Sequence, residues 1–440
     1  MKIMNFITIF FLTAVLLAAS EENKPSLTLE SAVQSALNRN ERAAIADQQV
    51  KASDARVMKG RSVFLPTIIL SGSYTRRPFE VTRELNDQQI IIQSLNALAG
   101  SVTVNSVLLD FRSFPLYRQL KFGNKADKSN SFESKRGLSF EVCTTFLTVL
   151  GVEQVVKAAQ QRLDYADQNL KASRARYEAQ LVSVNDVTRA ELEYATAEKG
   201  LTNAKGDVET ARLQLGLLLG IKVERSLENP EKLLSQAEAP PPEAEPLIPE
   251  AQERRQDLQS LRWHARAQHA ASMEPLMRWL PSFSLNGQYR FTNESGLSGN
   301  KTTWSVGIAA NWTLFDGLAR IADYKEQKAQ AAIADLDVQA TSRKVEVDVR
   351  SALVTLTNQQ ASLKQASVAL DVARKNATET TELYRQGLTS ALQAADANVN
   401  LYEAEVDFIR ERYGLAMAFL NLRLATGQDP FGNTQSPNNV

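Results

Sequence analysis

Few residues in this chain are placed to perform chemistry, and their spacing argues against most of it. The 440 residues include two histidines, His264 and His269. Five positions apart, they do not share one helix face as ligands at i and i+4 would, so no metal site is expected. Gly296-Leu297-Ser298-Gly299-Asn300-Lys301-Thr302 has the residue types of a phosphate loop. Its glycine spacing is wrong, however, and it joins two strand-like segments instead of opening a helix, so it reads as a turn. Cys143 is the only cysteine and cannot pair within the chain; it reads as a small apolar helix residue. No catalytic constellation or cofactor site is expected. What remains are side chains that bond their own backbone. Ser183 with Asp186, and Ser390 with Gln393, have the spacing of a capping box, in which the fourth residue reaches back to the cap. Asp110 and Asp316 stand between strand-like and helical stretches and read as N-caps. Asp396 has no such local role.

These residues sit on a chain whose charge is balanced, Lys+Arg 50 against Asp+Glu 50. Without a basic surplus to neutralise phosphates, a nucleic-acid partner is not expected. The N-terminus carries Lys2, an apolar run over 6–17 and the small residues Ala18-Ala19-Ser20, the pattern of an export signal over 1–20. The run falls short of the ~20 residues a spanning helix needs, and no later apolar run is expected to span as a helix. With no cysteine after the small residues, acyl anchoring is not expected either.

Internal repetition sets the architecture. Leu65-Pro66 and Tyr74 recur as Leu280-Pro281 and Tyr289 at an offset of 215. Leu163-Asp164, Tyr177, Leu181, Ser183 and Gly220 recur as Leu370-Asp371, Tyr384, Leu388, Ser390 and Gly427 at an offset of 207. The difference places an insertion in the first copy between Tyr74 and Ser101, expected to be a loop. The chain thus reads as a first repeat over 21–227 (helix, two strands, long helices), a second over 250–427, and a polar tail over 428–440. The proline-rich connector over 228–249 is expected not to continue a helix.

Each repeat holds two segments of period two. Phe283, Leu285, Gly287, Tyr289 and Phe291 alternate with polar residues, as do Trp304, Val306, Ile308, Ala310, Trp312 and Leu314. In the first copy Ile68, Leu70 and Tyr74, then Val102, Val104 and Leu108, do the same less strictly. Such alternation suits transmembrane barrel strands. Trp304 and Trp312 share a face and lie about 20 Å apart along a tilted strand, near the height of an apolar band flanked by aromatic girdles. Four strands cannot close a barrel, and open edges in lipid would leave backbone groups unsatisfied, so several chains must share one. The glycine-bearing turn would then be extracellular.

The remainder is helical. Residues 116–180 and 318–386 contain no proline, and at 1.5 Å per residue each stretch would extend roughly 100 Å. Leu356, Leu363, Leu370, Ala377 and Tyr384 recur every seven residues, a coiled-coil register. The helices are expected to turn back near 180–183 and 387–390, with Gly387 at C′ and Ser183 and Ser390 as N-caps.

Leu27-Thr28-Leu29-Glu30, the paired Leu-Pro strand openers, Leu314-Phe315-Asp316-Gly317 and Tyr384-Arg385-Gln386-Gly387 followed by Ser390 together resemble the TolC-like outer-membrane efflux proteins, over about 27–427. The first copy departs from the Leu-Phe-Asp-Gly pattern with Leu108-Leu109-Asp110-Phe111. Arg255-Gln256-Asp257-Leu258 has glutamine where proline is frequent. The resemblance implies an α+β membrane protein that is not an enzyme. Four strands per chain would form a trimeric, shared 12-stranded β-barrel in outer-membrane lipid, above a long periplasmic α-helical coiled-coil barrel docked to a periplasmic adaptor and an inner-membrane pump. It further implies a constriction at the helical tips, at the positions of Asp186, Tyr384, Gln393 and Asp396. Gln393 departs from the aspartate frequent there, which weakens a carboxylate ring. For Asp186 and Gln393, capping and gating both stand; Tyr384, on the heptad, suits core packing. Leu181, Ser183, Gly387, Leu388 and Ser390 are the expected adaptor contacts at the tips, and Tyr74, Tyr289, Trp304 and Trp312 the membrane girdle. The function implied is a passive exit duct of a tripartite export system. Its alternatives are the outer-membrane component of type I protein secretion and a pore-free periplasmic coiled-coil scaffold.

Overall fold

The computed structural model describes residues 26–85, 88–294 and 300–433. The export signal over 1–20, residues 296–299 of the glycine-bearing turn and the tail beyond 433 lie outside these. The elements in order are α1 (Leu29–Arg39), α2 (Glu41–Ser62), β1 (Thr67–Arg76), β2 (Val81–Leu85), β3 (Gln88–Gln93), β4 (Asn96–Leu109), α3 (Ser113–Glu178) and α4 (Val184–Leu219). There follow α5 (Glu231–Ala237), α6 (Ala244–Arg254), α7 (Gln256–Ser272), α8 (Glu274–Met277), β5 (Ser282–Thr292), β6 (Thr302–Asn311), α9 (Ala319–Arg385) and α10 (Ala391–Ala425). The chain divides into two compact units, one of residues 47–131 and 256–342, the other of 1–46, 132–255 and 343–440.

The first unit holds a four-stranded sheet of order β1-β4-β5-β6, with every neighbouring pair antiparallel. Its register sorts the side chains by face. Ile68 opposes Val104, Leu70 opposes Val102, Tyr289 opposes Trp304, and Leu285 opposes Ile308. Val102 also opposes Tyr289 across the central pair. Directly opposed residues share a face, so these apolar residues form one surface. Ser71, Ser101, Arg290 and Thr303 fall on the other, where Asn286 Nδ2 donates to Asn105 Oδ1 at 2.9 Å. The alternation of the first copy reads less cleanly because Ile69 and Val107 fall on the polar face, opposite Thr103 and Ser284, and Ser106 on the apolar one, opposite Leu285. Beyond Val107 a bulge resets the period, so that Leu109 opposes Phe283. Within the sheet, β1 and β6 each have one partner strand, so two backbone edges stay unpaired.

Three expectations are corrected. The insertion of the first copy is a hairpin, β2 paired antiparallel with β3, instead of a loop. Its β-branched residues Val81, Thr82 and Ile91 favour extended backbone, and Thr82 pairs directly with Ile91. The connector contains two short helices, α5 and α6. Pro240-Pro241-Pro242 falls between them, and Pro246 lies in the first turn of α6, where its missing N–H has no intrahelical acceptor to lose. Third, α3 does contain a stretch long and apolar enough to cross a membrane by length and composition. Leu138, Val142, Phe146, Leu147 and Val149 are fully buried; the stretch is apolar because it forms the core of the second unit.

That core packs α1, α3, α4, α5 and α10. Thr28 caps α1 with Ser31, and Leu27 pairs with Leu227 in a parallel bridge. Cys143 is fully buried within it, and burial pushes its thiol well above the ordinary range, so it is unreactive. The heptad of α9 is covered at Leu356, Leu370, Ala377 and Tyr384. Gly220 and Gly427, the repeated glycines, end α4 and α10 with φ of 66° and 77°, the left-handed conformation that closes a helix.

Candidate functional site at the helical returns

In the second unit α3 turns back into α4, and α9 into α10. The first return closes with Leu181 N–H on Arg176 O at 2.8 Å and Gln180 N–H on Tyr177 O at 2.8 Å. The second repeats this with Leu388 on Leu383 at 2.9 Å and Gly387 on Tyr384 at 3.1 Å. Both are Schellman closures, in which the apolar residue after the left-handed position usually packs against its own helix. Here Leu181 and Leu388 stay 75% and 71% exposed, leaving an apolar side chain bare at each tip. Gly387 supplies the left-handed residue (φ 76°) in one return and Gln180 (φ 58°) in the other.

Each tip acid or amide sits where local bonding puts it. Asp186 Oδ2 accepts from Ser183 N–H and from its hydroxyl, both at 3.1 Å. Gln393 Oε1 accepts from Ser390 N–H at 3.3 Å, and the Gln393 N–H donates to Ser390 Oγ at 3.3 Å. The Thr389 hydroxyl also donates to Gln393 Oε1. Capping therefore occupies both side chains. Asp396 is exposed and forms no hydrogen bond or ion pair among the described residues. Tyr384 is buried, its hydroxyl 3.5 Å from Ser173 Oγ.

The structure brings Asp186 and Asp396 together along one cleft of about 530 Å³ between the two hairpins, also lined by Arg162, Arg189, Leu192 and Glu193. Gln393 and Tyr384 are not in its lining. Two groups here were not anticipated. Glu193 faces Arg162 at 3.9 Å, with side chains only 10% and 16% exposed; Glu193 Oε1 and Arg162 Nε have no hydrogen-bond partner. Burial raises the Glu193 carboxyl above the usual carboxylate range, Arg162 opposes this, and Asp396 adds to it. Arg176 stacks on the Tyr384 ring at 4.5 Å and donates to the carbonyls of Tyr384 at 3.3 Å and Arg385 at 3.2 Å, capping a helix other than its own. Its partners lie 208 and 209 residues away, beyond any local spacing rule.

Asp316 accepts from the N–H of Arg320 in the first turn of α9 at 3.1 Å, whereas Asp110 accepts from Arg112, the residue before α3, at 3.0 Å, a turn before the helix and not a cap of its first-turn N–H groups. His264 and His269 do not converge: His269 lies 2.9 Å from Asp335, and among the described residues no three His, Cys, Asp or Glu side chains cluster for a metal.

An outer-membrane channel is the class of protein that a one-sided apolar sheet with long helical hairpins defines, and the comparisons agree. Residues 32–221 and 247–428 match the model of the outer membrane efflux protein family, and the chain belongs to that family. It is an outer-membrane protein extending into the periplasm. Nodulation protein T of Rhizobium leguminosarum bv. trifolii is 22% identical over 424 residues, covering 93% of this chain and 87% of that one. Outer membrane protein TolC of Vibrio cholerae is 23% identical over 87% of this chain and 86% of its own. In fold, the Campylobacter jejuni CmeC outer membrane channel superposes with a TM-score of 0.77 at 17% identity, over 96% of this chain and 92% of that one. The open-state MtrE channel of Neisseria gonorrhoeae gives 0.76 at 17% identity, over 93% and 91%.

Proposed function

We propose that three copies of this chain form an exit duct through the outer membrane, a passive conduit with no enzymatic activity, powered by an inner-membrane pump through a periplasmic adaptor. The observation that carries this reading is the four-stranded sheet with one apolar face and two unpaired edges. Lipid tolerates no open edge, and edge-to-edge joining of three such sheets gives a twelve-stranded barrel that removes all of them. A pore-free periplasmic scaffold would have no use for that face. Tyr74, Tyr289, Trp304 and Trp312, exposed on it by 50–74%, are suited to the interfacial girdles of such a barrel.

The tips divide the remaining roles. Leu181 and Leu388, with Ser183, Gly387 and Ser390 setting the returns, offer the bare apolar contacts that an adaptor would cover. Asp396, lacking a local partner, carries the constriction; Asp186 contributes to it while capping, Tyr384 braces the hairpin behind it, and Gln393 leaves it one carboxylate short.

Fractionation tests the duct: a heat-modifiable trimer in outer membranes is expected, and a soluble species refutes it. In planar bilayers Asp396→Ala is expected to raise conductance and weaken cation preference; unchanged values remove Asp396 from the gate. Co-purification of an adaptor with the wild type, lost on Leu181→Asp with Leu388→Asp, tests the tips.

A further inference from the structure

The strand-bearing unit carries a basic surface that the duct does not explain. A cleft of about 580 Å³ is lined by Arg118, Lys121, Phe122 and Lys125 of α3 and Arg266 and His269 of α7. No acid lines it. Phe122 stacks on Trp263 at 5.9 Å, with Lys125 Nζ 4.1 Å and the Arg266 guanidinium 4.5 Å from the indole centroid. Arg118, Lys121, Lys125 and Arg266 are exposed and make no ion pair or hydrogen bond among the described residues. By contrast Lys128, further along α3, is matched with Asp54 at 3.4 Å, and within the lining only His269 has an acid partner, Asp335 at 2.9 Å. Four unmatched cations grouped around an aromatic pair form a site for negative charge that also accepts an apolar edge.

Handedness decides which side it faces. At the far end of β5, Thr292 N–H bonds Lys301 on the β6 side at 2.8 Å and Asn293 N–H bonds Leu98 on the β4 side at 3.0 Å. For L-residues on a strand leaving the helices, this puts β4 to the right of β5 when the face bearing Tyr289 and Trp304 is toward the viewer. The helices keep the strand order. α3 packs on α2 through Asn124 with Asp54 and Arg56 with Asp127, and on α7 through Ser260 with Ala126 and Phe122 with Trp263. In a right-handed helix running away from the sheet, Arg118, Lys121 and Lys125 then turn to the side of the apolar sheet face. Leu116, Gln119 and Gly123 take the opposite side. Counting from Ser113, Arg118 to Lys125 lie about 8–18 Å into the helix, the depth of a headgroup layer below the apolar band once long side chains reach up to it.

We infer that Arg118, Lys121, Lys125 and Arg266 bind the anionic headgroups of phospholipids in the leaflet at the root of the barrel, with Phe122 and Trp263 against their glycerol and upper chains. The inference rests on the membrane reading above, since a patch on the lipid-facing side of a barrel meets headgroups and one on a soluble rod does not.

The test uses the full-length detergent-solubilised protein titrated with dioctanoyl phosphatidylglycerol, followed by the shift in its thermal midpoint. Saturable stabilisation is expected, absent with the zwitterionic phosphatidylcholine and with inorganic phosphate. Arg118→Gln/Lys121→Gln/Arg266→Gln is expected to weaken the apparent affinity about a hundredfold, and Lys121→Gln alone several-fold, which keeps the test readable should the triple variant fold poorly. Equal stabilisation by phosphatidylcholine, or an unchanged titration in Lys121→Gln and the triple variant, overturns the inference; an equal effect of phosphate makes this a free-anion site and also overturns it. Altered anion permeation in the triple variant with unaltered lipid titration places the cluster on the lumen side and rejects it too. Failure of the wild type to fractionate with outer membranes refutes the duct; loss of lipid specificity in a protein that does fractionate refutes only this site.

Discussion

Glu193 is the residue at the tips with most at stake in its charge state. Its folded pKa is raised, chiefly by burial, so the folded chain holds that proton more tightly than the unfolded one. The associated stability is full below the unfolded carboxyl value and drains away as pH rises through the folded one. Lowering pH toward the ordinary carboxylate range is therefore expected to tighten the returns, read as slower limited proteolysis over 179–190. Glu193→Gln should abolish that pH dependence while keeping the protein folded. Other charges facing the same cleft, Arg162, Arg189, Asp186 and Asp396, remain in this variant, so a persistent dependence would shift the assignment to one of the acids. Arg162→Ala, which strands the Glu193 charge, should cost more than Glu193→Gln, on the order of 3 kcal/mol if the carboxylate stays ionised. Arg176→Ala removes a cation–π contact and the carbonyl bonds at the end of α9. It is expected to cost about 2 kcal/mol locally, raising amide exchange over 384–390 at least about tenfold.

At the scale of the element, the two returns are copies with unequal backbones. Gln180 adopts the left-handed conformation that Gly387 adopts in the other copy, and a side chain there is strained by about 1 kcal/mol. Gln180→Gly is expected to stabilise the first return by about 0.5–1 kcal/mol, and Gly387→Ala to destabilise the second by a similar amount, both measurable by proteolysis at the tips. Gly427→Ala should cost clearly more. Besides its φ of 77°, a Cβ there would lie 3.0 Å from Arg254 Cβ and from the Arg255 nitrogen, whereas at Gly387 it would meet nothing within 4 Å. These positions show what was readable in the chain. The period-two runs, the heptad and the repeated Tyr-to-Ser spacing yielded strands, long helices and returns, because each is set by local periodicity. The β2–β3 hairpin went unread since its alternation is short and its length suggested a loop. The helices of the connector were obscured by its prolines, of which Pro240-Pro241-Pro242 fall between the helices, Pro246 lies in the first turn of α6 and Pro249 is accommodated inside α6. Arg176, Arg162 and Glu193 were invisible because their partners come from distant helices.

For the whole molecule, the sheet makes the sharpest demand. Ile308 is central on the apolar face opposite Leu285, and its neighbour Ala309 points the other way, opposite Ser284. Arginine on the lipid side of a barrel costs about 2–4 kcal/mol at mid-depth, whereas one facing a wet lumen does not. Ile308→Arg is thus expected to reduce assembled trimer in outer membranes severely and Ala309→Arg only slightly; equal loss from both would mean that the two faces are not differently solvated. The buried thiol of Cys143 has a practical corollary for all of these measurements. Because the lone native cysteine is sealed in the core, the folded wild type should leave maleimide unreacted. A single cysteine placed at Leu388 or Lys121 would then report its own exposure, in living cells, against a silent background.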